Sequence, residues 1–83
     1  MNITPFTEYF ELYNQPQELR ANCNELIVIN LGTSIAIIEG LEFATGDQYI
    51  SPGNDYELNE TRYRLSFDNT GTNKVLAIRK IYR

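Results

Sequence analysis

The sequence predicts an all-β fold: a small antiparallel β-sandwich or barrel of about six or seven short strands. Residues 1–20 read as an N-terminal arm or edge segment and residues 21–83 as the sandwich domain. Three observations predict this. Tyr63, Leu65 and Phe67 alternate with Arg62, Arg64 and Ser66, the period of two of a strand with one buried face. β-branched and aromatic residues crowd Leu26–Ile29, Ile35–Ile38 and Val75–Tyr82. Clusters of Gly, Pro, Asn, Asp, Ser and Thr separate these runs at intervals of about eight to twelve residues.

Residues 1–20 admit two readings. Thr4-Pro5 can cap a short helix, with Phe6, Tyr9, Phe10 and Tyr13 as its stripe. The same aromatic residues favour an extended arm or edge strand, and a helix of about nine residues is marginal without packing. Asn14-Gln15-Pro16-Gln17 ends the segment as a turn.

From Glu25 the chain is plainly β. Leu26-Ile27-Val28-Ile29 is continuously apolar, as in a strand covered on both faces. Asn30-Leu31-Gly32-Thr33 reads as a turn, with Ile35-Ala36-Ile37-Ile38 returning as the hairpin partner. Gly40 reads as a bulge or kink before Leu41-Glu42-Phe43. Thr45-Gly46-Asp47 turns again. Ser51-Pro52-Gly53-Asn54 fits a type II turn with positive φ at Gly53. The longest hairpin expected joins Thr61–Phe67 to Lys74–Tyr82 through Asp68–Asn73. Ile78 and Ile81 fall on opposite faces, which suggests a bulge near Arg79-Lys80.

Eighty-three residues build a thin core, so a chain of this size gains from disulfides, metals or partners. A single cysteine, Cys23, excludes an internal disulfide, and with no histidine a Cys/His zinc site within one chain is excluded too. Association with other chains, as a homo-oligomer or with other subunits, is the expectation that remains beside a well-packed sheet. The net charge of −4 is segregated: residues 1–61 carry −9 and residues 62–83 carry +5. Basic strands pairing with acidic ones inside the fold explain this, and so does stacking of subunits. The acidic majority disfavours nucleic acid, and no apolar stretch reaches membrane-spanning length. Met1–Pro5 lacks the basic start and apolar run of a signal peptide, which makes the Asn2-Ile3-Thr4 and Asn59-Glu60-Thr61 sequons chance triplets.

No residue pattern carries catalysis. Without histidine no Ser-His or Cys-His pair exists, and Cys23 sits among Asn22, Asn24 and Glu25 with no cation to stabilise a thiolate. Glu39 with Glu42, and Asp55 with Glu57, are acid pairs that solvated turns explain better than acid–base chemistry. Gly32-Thr33-Ser34 lacks the lysine of a phosphate loop, and Asp68–Asn73 lacks the spaced acids of a calcium loop. The expectation is a protein that is not an enzyme and has no cofactor or metal. Two sets of residues remain as candidates. Tyr49 and Tyr56 flank the Pro52-Gly53 turn and offer rings to a glycan, or equally to a protein surface. Phe6, Tyr9, Phe10 and Tyr13, with Arg79, Lys80 and Arg83 meeting acids on a neighbour, form the candidate interface.

The order of elements from Asn24 to Tyr82 carries a resemblance. A strand ending in Asn30-Leu31-Gly32 is followed by its apolar return, by Ser51-Pro52-Gly53-Asn54, by Tyr63-Arg64-Leu65-Ser66-Phe67, and by Asn73-Lys74-Val75-Leu76 and Ile78-Arg79-Lys80-Ile81-Tyr82. This resembles small β-sandwich virion proteins of tailed bacteriophages, of the decoration, head-fibre or head–tail accessory kind. The resemblance implies a non-enzymatic structural protein of the virion, assembled in the host cytoplasm. Its partners would be further copies or shell and connector proteins. Such proteins grip neighbours with a terminal arm, which here would be the segment around Phe6, Tyr9, Phe10 and Tyr13. The chain has no fibre repeat.

Overall fold

The computed structural model describes residues 5–53 and 56–82. The expectations that involve residues 1–4, Asn54, Asp55 and Arg83 lie outside the described residues. The described residues form eight strands: β1 (Phe6–Tyr13), β2 (Gln17–Arg20), β3 (Glu25–Asn30), β4 (Ala36–Ile38), β5 (Leu41–Phe43), β6 (Gln48–Ser51), β7 (Arg62–Phe67) and β8 (Val75–Tyr82). They make a β-sandwich of two four-stranded antiparallel sheets. Sheet I has the order β1-β8-β3-β6 and sheet II the order β2-β7-β4-β5.

The stripe of aromatic residues near the N-terminus is extended. As β1 it pairs with β8 from Phe6↔Tyr82 to Tyr13↔Val75, at one edge of sheet I. Pro16, which has no N–H to give a ladder, lies where the chain leaves sheet I for β2 in sheet II. The core lies between the sheets. Sheet I supplies Tyr13, Leu26, Val28, Val75 and Ala77; sheet II supplies Leu19, Ala36, Ile38, Tyr63, Leu65 and Phe67.

Two expected hairpins are not hairpins. β7 pairs with β2 and β4, and β8 with β1 and β3, so the two strands lie in different sheets. Their inward rows, Tyr63-Leu65-Phe67 and Val75-Ala77, belong to one core and face each other across it. β3 and β4 are separated in the same way. The two crossovers run side by side and satisfy each other's backbone. Leu31 N and Gly32 N both donate to Lys74 O at 2.9 and 3.0 Å, and Thr33 N and Ser34 N to Thr72 O at 3.0 Å. Gly32 is required there, because a Cβ would overlap the Thr72 carbonyl. Buried Asn30 closes the junction: its Nδ2 donates to Ser34 O and Phe43 O, both at 2.8 Å, and its Oδ1 accepts from Gly32 N. Asn30 is thus the last residue of a strand as well as the organiser of the turn.

Three local expectations are corrected. Gly40 is not a bulge: Glu39 and Gly40, with φ of 50° and 80°, form the two-residue turn of the β4–β5 hairpin, the type I′ geometry that suits twisted strands. β8 has no bulge at Arg79-Lys80, for its register with β1 and β3 is unbroken. Gly53 does not take a positive φ; it is small because a Cβ would overlap the Asn24 carbonyl.

Candidate functional site

The surface that stands out is the outer face of sheet I. Side chains alternate along each strand, so the register fixes which residues share that face. One row across the four strands is Phe10–Ile78–Ile27–Ile50, and the next is Leu12–Leu76–Ile29–Gln48. Phe10 is 64% exposed and Leu12 59%; the aliphatic side chains of β3 and β8 on this face are half-buried by their neighbours and are not part of the core cluster. Below these rows lies a charged one, Glu8–Lys80–Glu25, and beyond it Phe6 and Tyr82 with ring centroids 6.0 Å apart. The Lys80 ammonium sits 4.7 Å from the Phe6 ring centroid.

The expected interface residues divide. Phe6, Phe10 and Lys80 lie on the outer face. Tyr9 is exposed but points to the other side of β1, opposite Arg79. Tyr13 is 7% exposed and belongs to the core, so its ring is not presented on the surface. Arg79 is also removed from the interface, since its side chain is 14% exposed and committed inside the chain. Its Nε–H is shared between Arg20 O at 2.9 Å and Ala21 O at 3.1 Å, and its Nη1 donates to Glu11 Oε1 at 3.1 Å. Its Nη2 donates to the Tyr13 hydroxyl, which in turn donates to Glu11. Burial works against the guanidinium charge, but these bonds to Tyr13 and Glu11 outweigh it and hold its pKa above the ordinary arginine value. The hydrogen bond from Tyr13, with Arg79 beside it, holds the Glu11 carboxyl below the usual range.

Part of the segregated charge is paired within the chain. Arg62 meets Glu18 at 3.7 Å, Arg64 meets Glu39 at 3.5 Å, and Arg79 meets Glu11. The basic strands β7 and β8 therefore answer acids on elements next to them.

Tyr49 and Tyr56 do not make a shared platform. Tyr49 pairs with Val28 and points into the sandwich, where its ring meets Phe43 and Tyr63 edge-on with centroids 6.5 and 5.5 Å away. Tyr56 is 91% exposed. Near them is an open polar cavity of about 320 Å³, lined among others by Asn24, Ser51, Gly53, Asn59 and Tyr63. Its side chains bind one another: Asn59 Nδ2 donates to Ser51 Oγ at 3.1 Å and to the Tyr63 hydroxyl at 3.2 Å, and Asn24 Nδ2 to Glu57 O at 2.6 Å. That arrangement fastens residues 57–59 to the end of the sandwich. Cys23 is buried, and burial raises its pKa, so it is a poor nucleophile.

Sequence reasoning missed Leu12, Ile27, Ile29, Ile50, Leu76 and Ile78. The signal was present in β3 and β8, whose apolar residues occupy both faces. Compared with known proteins, the chain matches no family model, no curated protein and no solved structure.

Proposed function

We propose that the chain is a non-enzymatic structural subunit that works by docking the outer face of sheet I on other protein subunits of a larger assembly. The observation that carries this is the pair of in-register rows left facing outwards, one apolar across all four strands and the next apolar across β1, β8 and β3. Contiguous exposed apolar patches of more than a few hundred Å² are uncommon on monomers and mark interaction surfaces. A finer reading, a virion component of the tailed-bacteriophage kind, is supported by the order of strand and turn signals from Asn24 to Tyr82. On that reading the partners are further copies or shell and connector proteins, and the protein resides in the virion.

Ile78→Asp tests the contact surface. The side chain points away from the core, so the variant keeps the wild-type circular dichroism spectrum. The wild type is expected to bind an apolar-surface dye when isolated as single chains, or to form a defined larger species, and Ile78→Asp to lose either behaviour. A wild-type monomer that binds no dye and matches Ile78→Asp in solubility refutes the reading.

A further inference from the structure

We propose that the partner covering this face is a second copy of the chain, stacked sheet to sheet about a two-fold axis that runs parallel to the strands between β8 and β3. The inference rests on the face being a contact surface and names its occupant. A two-fold interface must be complementary to itself, and the outer face of sheet I meets that condition row by row. The axis proposed lies at the centre of the order β1-β8-β3-β6, so it places β8 of one copy over β3 of the other and β1 over β6.

Each row then meets its own counterpart, with strand order reversed. Ile78 faces Ile27 of the second copy and Phe10 faces its Ile50. Leu76 faces Ile29 of the second copy and Leu12 its Gln48. In the charged row Lys80 faces Glu25 of the second copy, and Glu25 faces its Lys80. The alternative axis over β8 itself would set Glu8 against Glu25, like charge on like. The sequence of the row, acid–base–acid on β1, β8 and β3, thus selects the central axis. The arrangement is an aligned sheet packing, with the strand directions within about 30° of each other and the sheets about 10 Å apart.

The size is adequate. Four strands spaced about 4.8 Å apart and about six residues long give a face on the order of 400 Å² in plane. Side chains roughen that plane, so two copies remove on the order of 1,000 Å² of accessible surface, the lower limit of a specific interface. An interface of this size fits micromolar association rather than an obligate dimer.

The experiment is a charge exchange read by native mass. Wild-type chains at about 100 µM, above the micromolar Kd expected of so small an interface, are predicted to run at twice the 9.6 kDa of one chain. Lys80→Glu chains alone and Glu25→Lys chains alone are predicted to associate at least tenfold more weakly. Mixed in equal amounts they form a heterodimer, because each then meets the opposite charge across the axis. Within either chain alone the charges remain unfavourable, so pairing on mixing is a property of the contact between copies.

A second measurement does not depend on how well the charge variants fold. Within one chain Phe10 and Ile50 lie on opposite edge strands, separated by about 14 Å at the usual strand spacing. In the doubly substituted chain, Phe10→Cys with Ile50→Cys, a short bis-maleimide that reaches across the roughly 10 Å between packed sheets but not the roughly 14 Å within one chain joins the two thiols only between copies. Covalent dimers are expected, with buried Cys23 taking no part. A wild-type dimer with neither heterodimer pairing nor these cross-links overturns the two-fold arrangement and leaves the contact surface standing. A wild-type monomer at the highest concentration overturns the second copy as occupant. If that monomer binds an apolar dye that Ile78→Asp abolishes, the face belongs to a different subunit.

Discussion

Replacing Arg79 with alanine is predicted to be among the most destabilising single changes in the chain. Two of its hydrogen-bonding groups hold three partners, of which the Ala21 carbonyl and the Tyr13 hydroxyl are part-buried. The Nε–H serves the carbonyls of Arg20 and Ala21, and one Nη serves the Tyr13 hydroxyl. Stranding such acceptors costs about 1–3 kcal/mol for each desolvated group. The stacking of the guanidinium over the Tyr13 ring, 5.9 Å from its centroid, adds about 0.5–1 kcal/mol. The ion pair with Glu11 contributes less than about 1 kcal/mol, because that carboxylate is largely exposed. A total of about 3 kcal/mol is a large part of the roughly 4–12 kcal/mol that holds a chain of this length together. With a urea m-value of about 1–1.5 kcal/mol/M, the midpoint falls by about 2–3 M. The assay is urea unfolding in an Ile78→Asp background, so that association does not add to stability. Arg79→Lys is expected to lie between the two, since an ammonium keeps the charge but cannot reproduce the fork. A midpoint for Arg79→Ala within about 0.5 M of its parent, less than one such bond supports, would sink the argument and return Arg79 to the solvated surface.

Two further outcomes follow from the same structure. Asn30→Asp keeps the shape of the side chain but turns its donor against the carbonyls of Ser34 and Phe43, and a Tm lowered by more than about 10 °C is expected in thermal unfolding. An unchanged Tm would mean that the crossovers hold without it. For pH, the Glu11 carboxyl is held below the ordinary glutamate range in the folded chain, by Tyr13 first and Arg79 second. Its contribution is therefore present above the unfolded-state pKa and is lost as pH falls through the folded one. Wild type should exceed Glu11→Gln in stability at neutral pH by less than about 1 kcal/mol, with the gap closing in acid; a gap that widens in acid contradicts the assignment. Tyr13, raised by burial first and then by Glu11, works in the opposite sense and loses its contribution as pH rises above the ordinary tyrosine range.

The class of fold was legible in the sequence because period-two patterning and turn residues are local signals, and β3, β7 and β8 display both. The pairing of strands was not. A connection of five residues at 31–35, or seven at 68–74, serves a hairpin as well as a passage between sheets. What decides is a set of contacts about forty residues apart in sequence, Gly32 and Thr33 against Thr72 and Lys74, which no local pattern encodes. Asn30 shows the same limit: asparagine beside a glycine signals a turn, and nothing local marks it as an inward-facing, triply bonded side chain. Of the candidate interface, the aromatic residues of β1 were legible as a group, but their helical spacing hid the split that sends Phe6 and Phe10 outwards and Tyr13 into the core. Arg79 read as a surface cation because charge alone does not reveal the two backbone carbonyls it reaches.

β8 carries apolar side chains on both faces, and this bears on how the chain finds its pairing. A strand with one apolar face rejects a slip of one residue, since the slip turns that face to water. In β8 the same slip exchanges Val75 and Ala77 for Leu76 and Ile78, apolar for apolar. Hydrophobic patterning then says little about register. The discrimination falls to Arg79, which the slip would carry away from the carbonyls of Arg20 and Ala21 while bringing Lys80 into the core. Asn24 adds a second check at the end of the strand, where its Oδ1 accepts from Tyr82 N at 2.8 Å. This inner strand of sheet I is aligned by one cation and one amide, so lesions at either are expected to yield mis-threaded chains that clump during refolding as well as a weaker native state.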